Sequence, residues 1–138
     1  MAKYSAFGTM LTRGAYPGVE VAQVTSISGP SISLDTTDVT EHDGTGWEEL
    51  VATILRSGTV TADIVYDPNA ATHKNASGGL LYDLAQRASS VWNVVFPTTP
   101  VAYITFTGYV TGFTPNAPVD GALTASVTIK PTGTVTLP

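Results

Sequence analysis

Residues 107–131 read TGYVTGFTPNAPVDGALTASVTIKP, two alternating runs separated by a corner. In the second run, 121–130, Leu123, Ala125, Val127 and Ile129 fall on one parity and Thr124, Ser126, Thr128 and Lys130 on the other. Successive side chains of a strand point to opposite faces, so this spacing makes one apolar and one polar face. The first run reaches back to residue 102, with Ile104, Phe106 and Val110 set against Thr105, Thr107, Tyr109 and Thr111. Between the runs, Pro115, Asn116, Pro118 and Gly121 supply fixed and permissive backbone for a turn. The stretch predicts two paired antiparallel strands with one buried face, and Leu123, Val127 and Ile129 as core residues.

The same period recurs upstream. In GTVTADIVYD, residues 58–67, Val60, Ala62, Ile64 and Tyr66 alternate with Thr61, Asp63 and Val65. Residues 19–27 and 90–97 are also strand-like and end at Gly29-Pro30 and Pro97. Twenty-two threonines fit this reading, because β-branched side chains suit a pleated surface better than a helix. One segment departs from it. In residues 77–89 the apolar positions Leu81, Leu84, Ala85 and Ala88 have helical spacing, which predicts a helix flanking a sheet with Leu84 in the core. Residues 47–57 satisfy both periods: Trp47, Leu50 and Ile54 suit a helix, while Val51, Thr53 and Leu55 suit a strand. We assign a strand.

Residues 35–49, DTTDVTEHDGTGWEE, have no periodicity and hold six of the eleven acidic residues, Asp35, Asp38, Glu41, Asp43, Glu48 and Glu49. No Lys or Arg lies among them, and Gly44 and Gly46 loosen the backbone. The reading is a long acidic loop, solvated and extended in the free chain; loops of this length in compact domains are usually functional or disordered.

Composition removes several function classes. A chain of 138 residues with 43% hydrophobic and 12% charged side chains has the size and apolar content of one folded domain. The absence of cysteine removes disulfides and thiolate chemistry. The net charge is −5 and the six basic residues are spread from Lys3 to Lys130, so there is no patch for gripping phosphates. No apolar run approaches the ~20 residues of a membrane helix, and the N-terminus has no signal-like apolar core.

Catalytic patterns are equally sparse. His42, between Glu41 and Asp43, alternates in direction with its neighbours and makes a poor metal set, so no metal or other cofactor is expected. His73 reads as a loop residue. No nucleophile elbow, phosphate-binding loop or dinucleotide glycine pattern occurs, and no enzyme activity is expected. Trp47 and Trp92 sit among apolar neighbours and read as packing residues, core or interface.

The run PVDGALTASVTIKPTGTVTL at 118–137 resembles the end of the major tail tube proteins of long-tailed, lambda-like bacteriophages. The other segments follow in the order of that family: GTMLTRG, then VAQVTSISGPSIS leading into the acidic loop. SGTVTADIVYDP, a short helix, WNVVFP and TFTGYVTGFTP come after them. The resemblance spans nearly the whole chain. It implies a mainly β fold of two packed antiparallel sheets forming a barrel-like sandwich, with one flanking helix and the long acidic loop. Residues 1–138 would be a single tail-tube domain, with 1–18 as N-terminal arm and first strand; the family's frequent extra immunoglobulin-like domain is not expected here.

The same resemblance implies a structural subunit that assembles with itself into stacked rings, hexameric in the family and related in fold to type VI secretion tubes. Genomic DNA would pass through the lumen without specific binding. Tail-tip, tape-measure and terminator proteins would be partners, in a virion assembled in the host cytoplasm and without a membrane. It places the acidic loop at the contact between rings, where Lys3, Arg13 and Arg56 are the expected partners of its carboxylates. Two other readings remain open. A type VI tube protein is a variant of this one, whereas a carbohydrate-binding or adhesin sandwich would need Tyr103, Tyr109 and Phe113 exposed together on one face.

Overall fold

A computed structural model describes residue 3, residues 5–42, residue 44 and residues 46–138. The chain runs β1 (Met10–Arg13), β2 (Val19–Glu20), β3 (Val24–Ser28), β4 (Ile32–Asp38), β5 (Leu50–Ser57), β6 (Val60–Val65), α1 (Leu80–Gln86), β7 (Ser89–Phe96), β8 (Ala102–Asn116) and β9 (Thr124–Thr136). Seven strands form one antiparallel sheet in the order β2-β1-β7-β8-β9-β6-β3, and β4 and β5 form a separate two-stranded sheet. The larger sheet curls until β3 lies against β1, so the architecture is a barrel-like sandwich with one helix.

The quoted stretch forms the centre of the large sheet. Val110 pairs with Ile129, Phe113 with Val127 and Asn116 with Thr124, and on its other edge β9 pairs with β6 through Ala62↔Val127 and Ile64↔Ala125. The alternation is realised as predicted: Val60, Ala62, Ile64, Ala125, Val127 and Ile129 are all buried. They meet Leu11, Trp92, Val94 and Phe106 from the opposite wall in one continuous core. Both strands outrun the sequence expectation. β8 continues through Pro115 and Asn116, and β9 continues past Lys130 to Thr136.

A single chain segment closes the curl. Residues 19–21 pair with β1, ending in the Val21 N–H donated to the Leu11 carbonyl. Gln23 then takes a left-handed φ of 59°, and residues 24–28 pair with β6 instead. The run read as one strand at 19–27 is therefore two short strands joined by a kink, and that kink is the seam of the barrel.

Three expectations need correction. Leu123 is not core; it is 37% exposed, because it lies just before β9 begins and no facing strand covers it. The acidic segment is loop only from 39 to 49, because Asp35–Asp38 belong to β4 and pair with β5. The helix is shorter than 77–89 and rotated from the expected stripe: Leu80 and Asp83 are buried, Leu84 is half-buried against the core, and Ala85 is exposed. Its rotation has a physical cause. The Asp83 carboxylate accepts two bonds from the Arg13 guanidinium, at 2.8 and 2.9 Å, and a third from the Ser90 hydroxyl at 3.0 Å. A buried carboxylate so satisfied can face inward where an unpaired one could not.

Candidate assembly surface

The β4–β5 hairpin is built on different rules from the barrel. Register pairs Ile32↔Ser57, Leu34↔Leu55, Thr36↔Ala52 and Asp38↔Leu50, with a bulge between Leu34 and Thr36. Along β5, Leu50, Ala52 and Ile54 occupy one face and Val51, Thr53 and Leu55 the other, and all six are exposed. Leu34 and Ile32 add to the apolar surface from β4, and Leu55 is 73% exposed. Strands that are apolar on both faces belong between two covering layers. Among the described residues no layer covers either face, and both outer edges of the two-stranded sheet lack a strand partner.

The hairpin is nonetheless well fixed at its base and its neck. At the base, the Gly58 N–H donates to the Ser31 carbonyl and the Lys130 ammonium donates to the Ser57 carbonyl at 2.7 Å. At the neck, the Val39 N–H donates to the Glu49 carbonyl at 2.9 Å. The Glu49 N–H donates to the Thr40 hydroxyl, which itself donates to Asp38 Oδ1 at 2.6 Å. The Thr40 hydroxyl and, to a smaller degree, its N–H hold the exposed Asp38 carboxyl below the usual carboxylate range.

The predicted site residues separate into groups. Glu41, Glu48 and Glu49 are exposed in the loop with Trp47, which is 79% exposed; Asp43 lies outside the described residues. Asp35 sits at the bulge, and its Oδ2 accepts from Arg56 Nε at 2.6 Å within the same hairpin. Arg56 thus already has a carboxylate partner, though the pair is solvent-exposed. Arg13 is a correction to the expected inter-ring set: it is consumed by Asp83, whose bonds hold the guanidinium in its charged form, above its ordinary range. Lys3 is exposed. Trp47 and Trp92 also part company, Trp92 being fully buried with its indole N–H donated to the Gly108 carbonyl.

The apolar hairpin faces were not singled out from sequence, although a signal was there. Residues 50–55, LVATIL, are apolar on both parities, which is why they fitted helix and strand alike. The aromatic platform needed by an adhesin does not form. The Tyr103 ring is stacked under Tyr16 at 4.0 Å, and Phe113 meets Tyr66 edge-on at 5.1 Å beside the core.

No family model and no curated protein matches the sequence. Solved structures do match, over nearly the full chain. A chain from the virion of a native gene transfer agent particle superposes with a TM-score of 0.77 at 13% identity, covering 99% of both chains. A chain from the tail of an empty gene transfer agent particle, solved with C6 symmetry, gives 0.73 at 13% identity and again 99% of both. A chain from the sheath–tube complex of an extracellular contractile injection system gives 0.70 at 14% identity, covering 99% of this chain and 91% of its own. The likeness is one of fold. It places this barrel, with its hairpin and single helix, among the folds of phage-like tail and tube assemblies.

Proposed function

We propose that the protein is a structural, non-catalytic subunit of a phage-like tail tube, with residues 1–138 acting as one tube domain. The observation that carries this reading is the β4–β5 hairpin, a firmly based two-stranded sheet with exposed apolar side chains on both faces. Such a surface is a liability on a free monomer and an asset once neighbouring copies cover it. Copies related by rotation would close into rings, six to a ring as in the C6 tail whose fold it shares, and stacking would extend the rings into a tube.

In such a tube the loop 39–49 meets the next ring. Glu41, Glu48 and Glu49 face cations of a neighbouring copy there, with Lys3 as the exposed candidate, while Arg56 reaches them only by sharing with Asp35. Ordering a loop costs roughly 1–2 kcal/mol per residue, so stacking of many copies together would be strongly favoured over isolated contacts. A channel lined by the outward face of the large sheet would suit passage rather than capture of DNA. Ser26, Asp63, Ser126 and Thr114 stand directly opposite one another across four strands, a row of hydroxyls with one carboxylate that offers phosphate no cation. Initiator, tape-measure and terminator proteins would bound the tube in a virion assembled in the host cytoplasm.

The likeness to a contractile system supports a second reading, a tube subunit inside a sheath. Electron microscopy of the concentrated full chain tests both: rings or tubes are expected, and binding of a contractile sheath protein to them would select the second. Leu34→Asp with Leu55→Asp should leave only monomers. A chain that stays monomeric at every concentration and with its tail-tip proteins would overturn the tube reading.

A further inference from the structure

The kink that closes the barrel is held by two consecutive residues of the loop between β6 and α1. The Thr72 hydroxyl accepts the Ala22 N–H at 3.0 Å, and the His73 ring reaches the Ala22 carbonyl with Nε2 at 2.6 Å. The backbone of the same two residues anchors the helix, since the Leu80 N–H donates to the Thr72 carbonyl and the Leu81 N–H to the His73 carbonyl. The imidazole is completely buried, and its other nitrogen, Nδ1, accepts the Asp67 N–H at 3.3 Å. His73 is therefore no loop residue in solvent but the meeting point of seam, β6 and α1.

These two bonds dictate the state of the ring. A backbone N–H can only donate, so Nδ1 must present its lone pair; Ala22 offers a carbonyl, so Nε2 must carry the hydrogen. Only the neutral Nε2–H tautomer satisfies both. Protonation sets two donors, Nδ1–H and the Asp67 N–H, against each other and places a positive charge in the core. Among the described residues, no carboxylate hydrogen-bonds or ion-pairs with the ring. Among the ionisable groups of the surrounding elements, the Asp67 carboxylate accepts the Asn69 N–H and Asp83 is committed to Arg13. Glu20 and Lys74 are exposed, and the Tyr66 ring centroid lies 6.2 Å away. An opened seam would widen the cleft of about 840 Å³ that already separates Ser5–Met10 from β3.

We propose that Thr72 and His73 form a clasp that keeps the barrel seam shut only while the His73 ring is neutral, so that acid releases it. The clasp is a property of the subunit, and its failure would leave the assembly reading untouched. Urea unfolding of the full chain from about pH 8 to about pH 5, the range in which histidine ordinarily gains its proton, tests it. The wild-type midpoint should fall across that range. His73→Gln, which takes up no proton, should lose most of the fall, and His42→Gln should keep it. Equal falls in wild type and His73→Gln would overturn the proposal. If His73→Gln does not fold, amide exchange of the wild type reads the clasp directly. The Val21, Ala22 and Val65 amides should lose protection on acidification before those of the β7–β8 ladder; loss in step with that ladder, or no loss, would also overturn it.

Discussion

The barrel and the β4–β5 hairpin use the same strand-forming residues to opposite ends. In β6, Val60, Ala62 and Ile64 point inward and Thr61 and Asp63 outward, so the strand finds its apolar partner inside its own chain. In β5, apolar residues point both ways and none is buried, so the strand finds no cover within the chain. The barrel is a folding unit, and the hairpin is a surface held out by it. Burial alone tells which substitutions should act on stability and which on assembly.

The sharpest way to break that division is a charge in the barrel wall. Val127→Asp buries an unpaired carboxylate at a position with no exposure, a cost of several kcal/mol against a total of about 5–15, and should abolish the circular dichroism of the folded chain. Thr128→Asp, one residue on and facing outward, should leave it folded. Equal losses would contradict the face assignment.

Next comes Asp83→Ala, which strands the Arg13 guanidinium. Because Arg13 retains 28% side-chain exposure, the expected cost is about 2–3 kcal/mol, below that of a fully buried pair, read as a lowered melting temperature. Arg13→Met in the same chain should recover part of it, since the two residues act as a pair.

The helix gives a smaller contrast. Leu84→Lys should cost about 1–2 kcal/mol and Gln86→Lys within about 0.5, because Leu84 packs against the core and Gln86 is exposed. Matching melting temperatures would contradict that packing.

On the hairpin, Leu55→Asp should shift monomer stability by no more than about 0.5 kcal/mol while removing particles from micrographs. A large drop in melting temperature would show that the hairpin supports the barrel after all. Smallest is the acid response of the neck. The folded Asp38 carboxyl titrates below its ordinary value, so the order it lends is complete above the usual carboxylate range and is lost as pH falls through the lower folded value. The Thr40 amide resonance should follow that loss, and Asp38→Asn should abolish the dependence.

What could be read from sequence followed from period. Alternation located β6, β8 and β9, because a strand buried on one face must alternate. Elsewhere the deciding partner is remote in the chain. The phase of α1 depends on Arg13, which lies 70 residues from Asp83, and no local pattern announces that an aspartate will face inward. The importance of His73 depends on Ala22, 51 residues away. The division of 19–28 into two strands rests on the left-handed backbone at Gln23, a residue with no special claim to that conformation. For the acidic segment, clustered charge hid that Asp35–Asp38 pair in a ladder, where the Arg56 guanidinium offsets one carboxylate. The hairpin surface was legible in principle, since apolar residues on both parities are the mark of a strand whose cover comes from elsewhere.

The hydrogen bond from the Gly58 N–H to the Ser31 carbonyl brings the two ends of the hairpin together at the barrel rim. The 26 residues from Ile32 to Ser57 therefore leave and re-enter the fold through one doorway, as an insert whose removal would need only a tight turn to reseal. Lineages could lengthen, shorten or exchange this cassette without disturbing the barrel's own ladder. If the hairpin is the contact surface proposed above, grafting in a foreign hairpin should change which chains the protein accepts as neighbours.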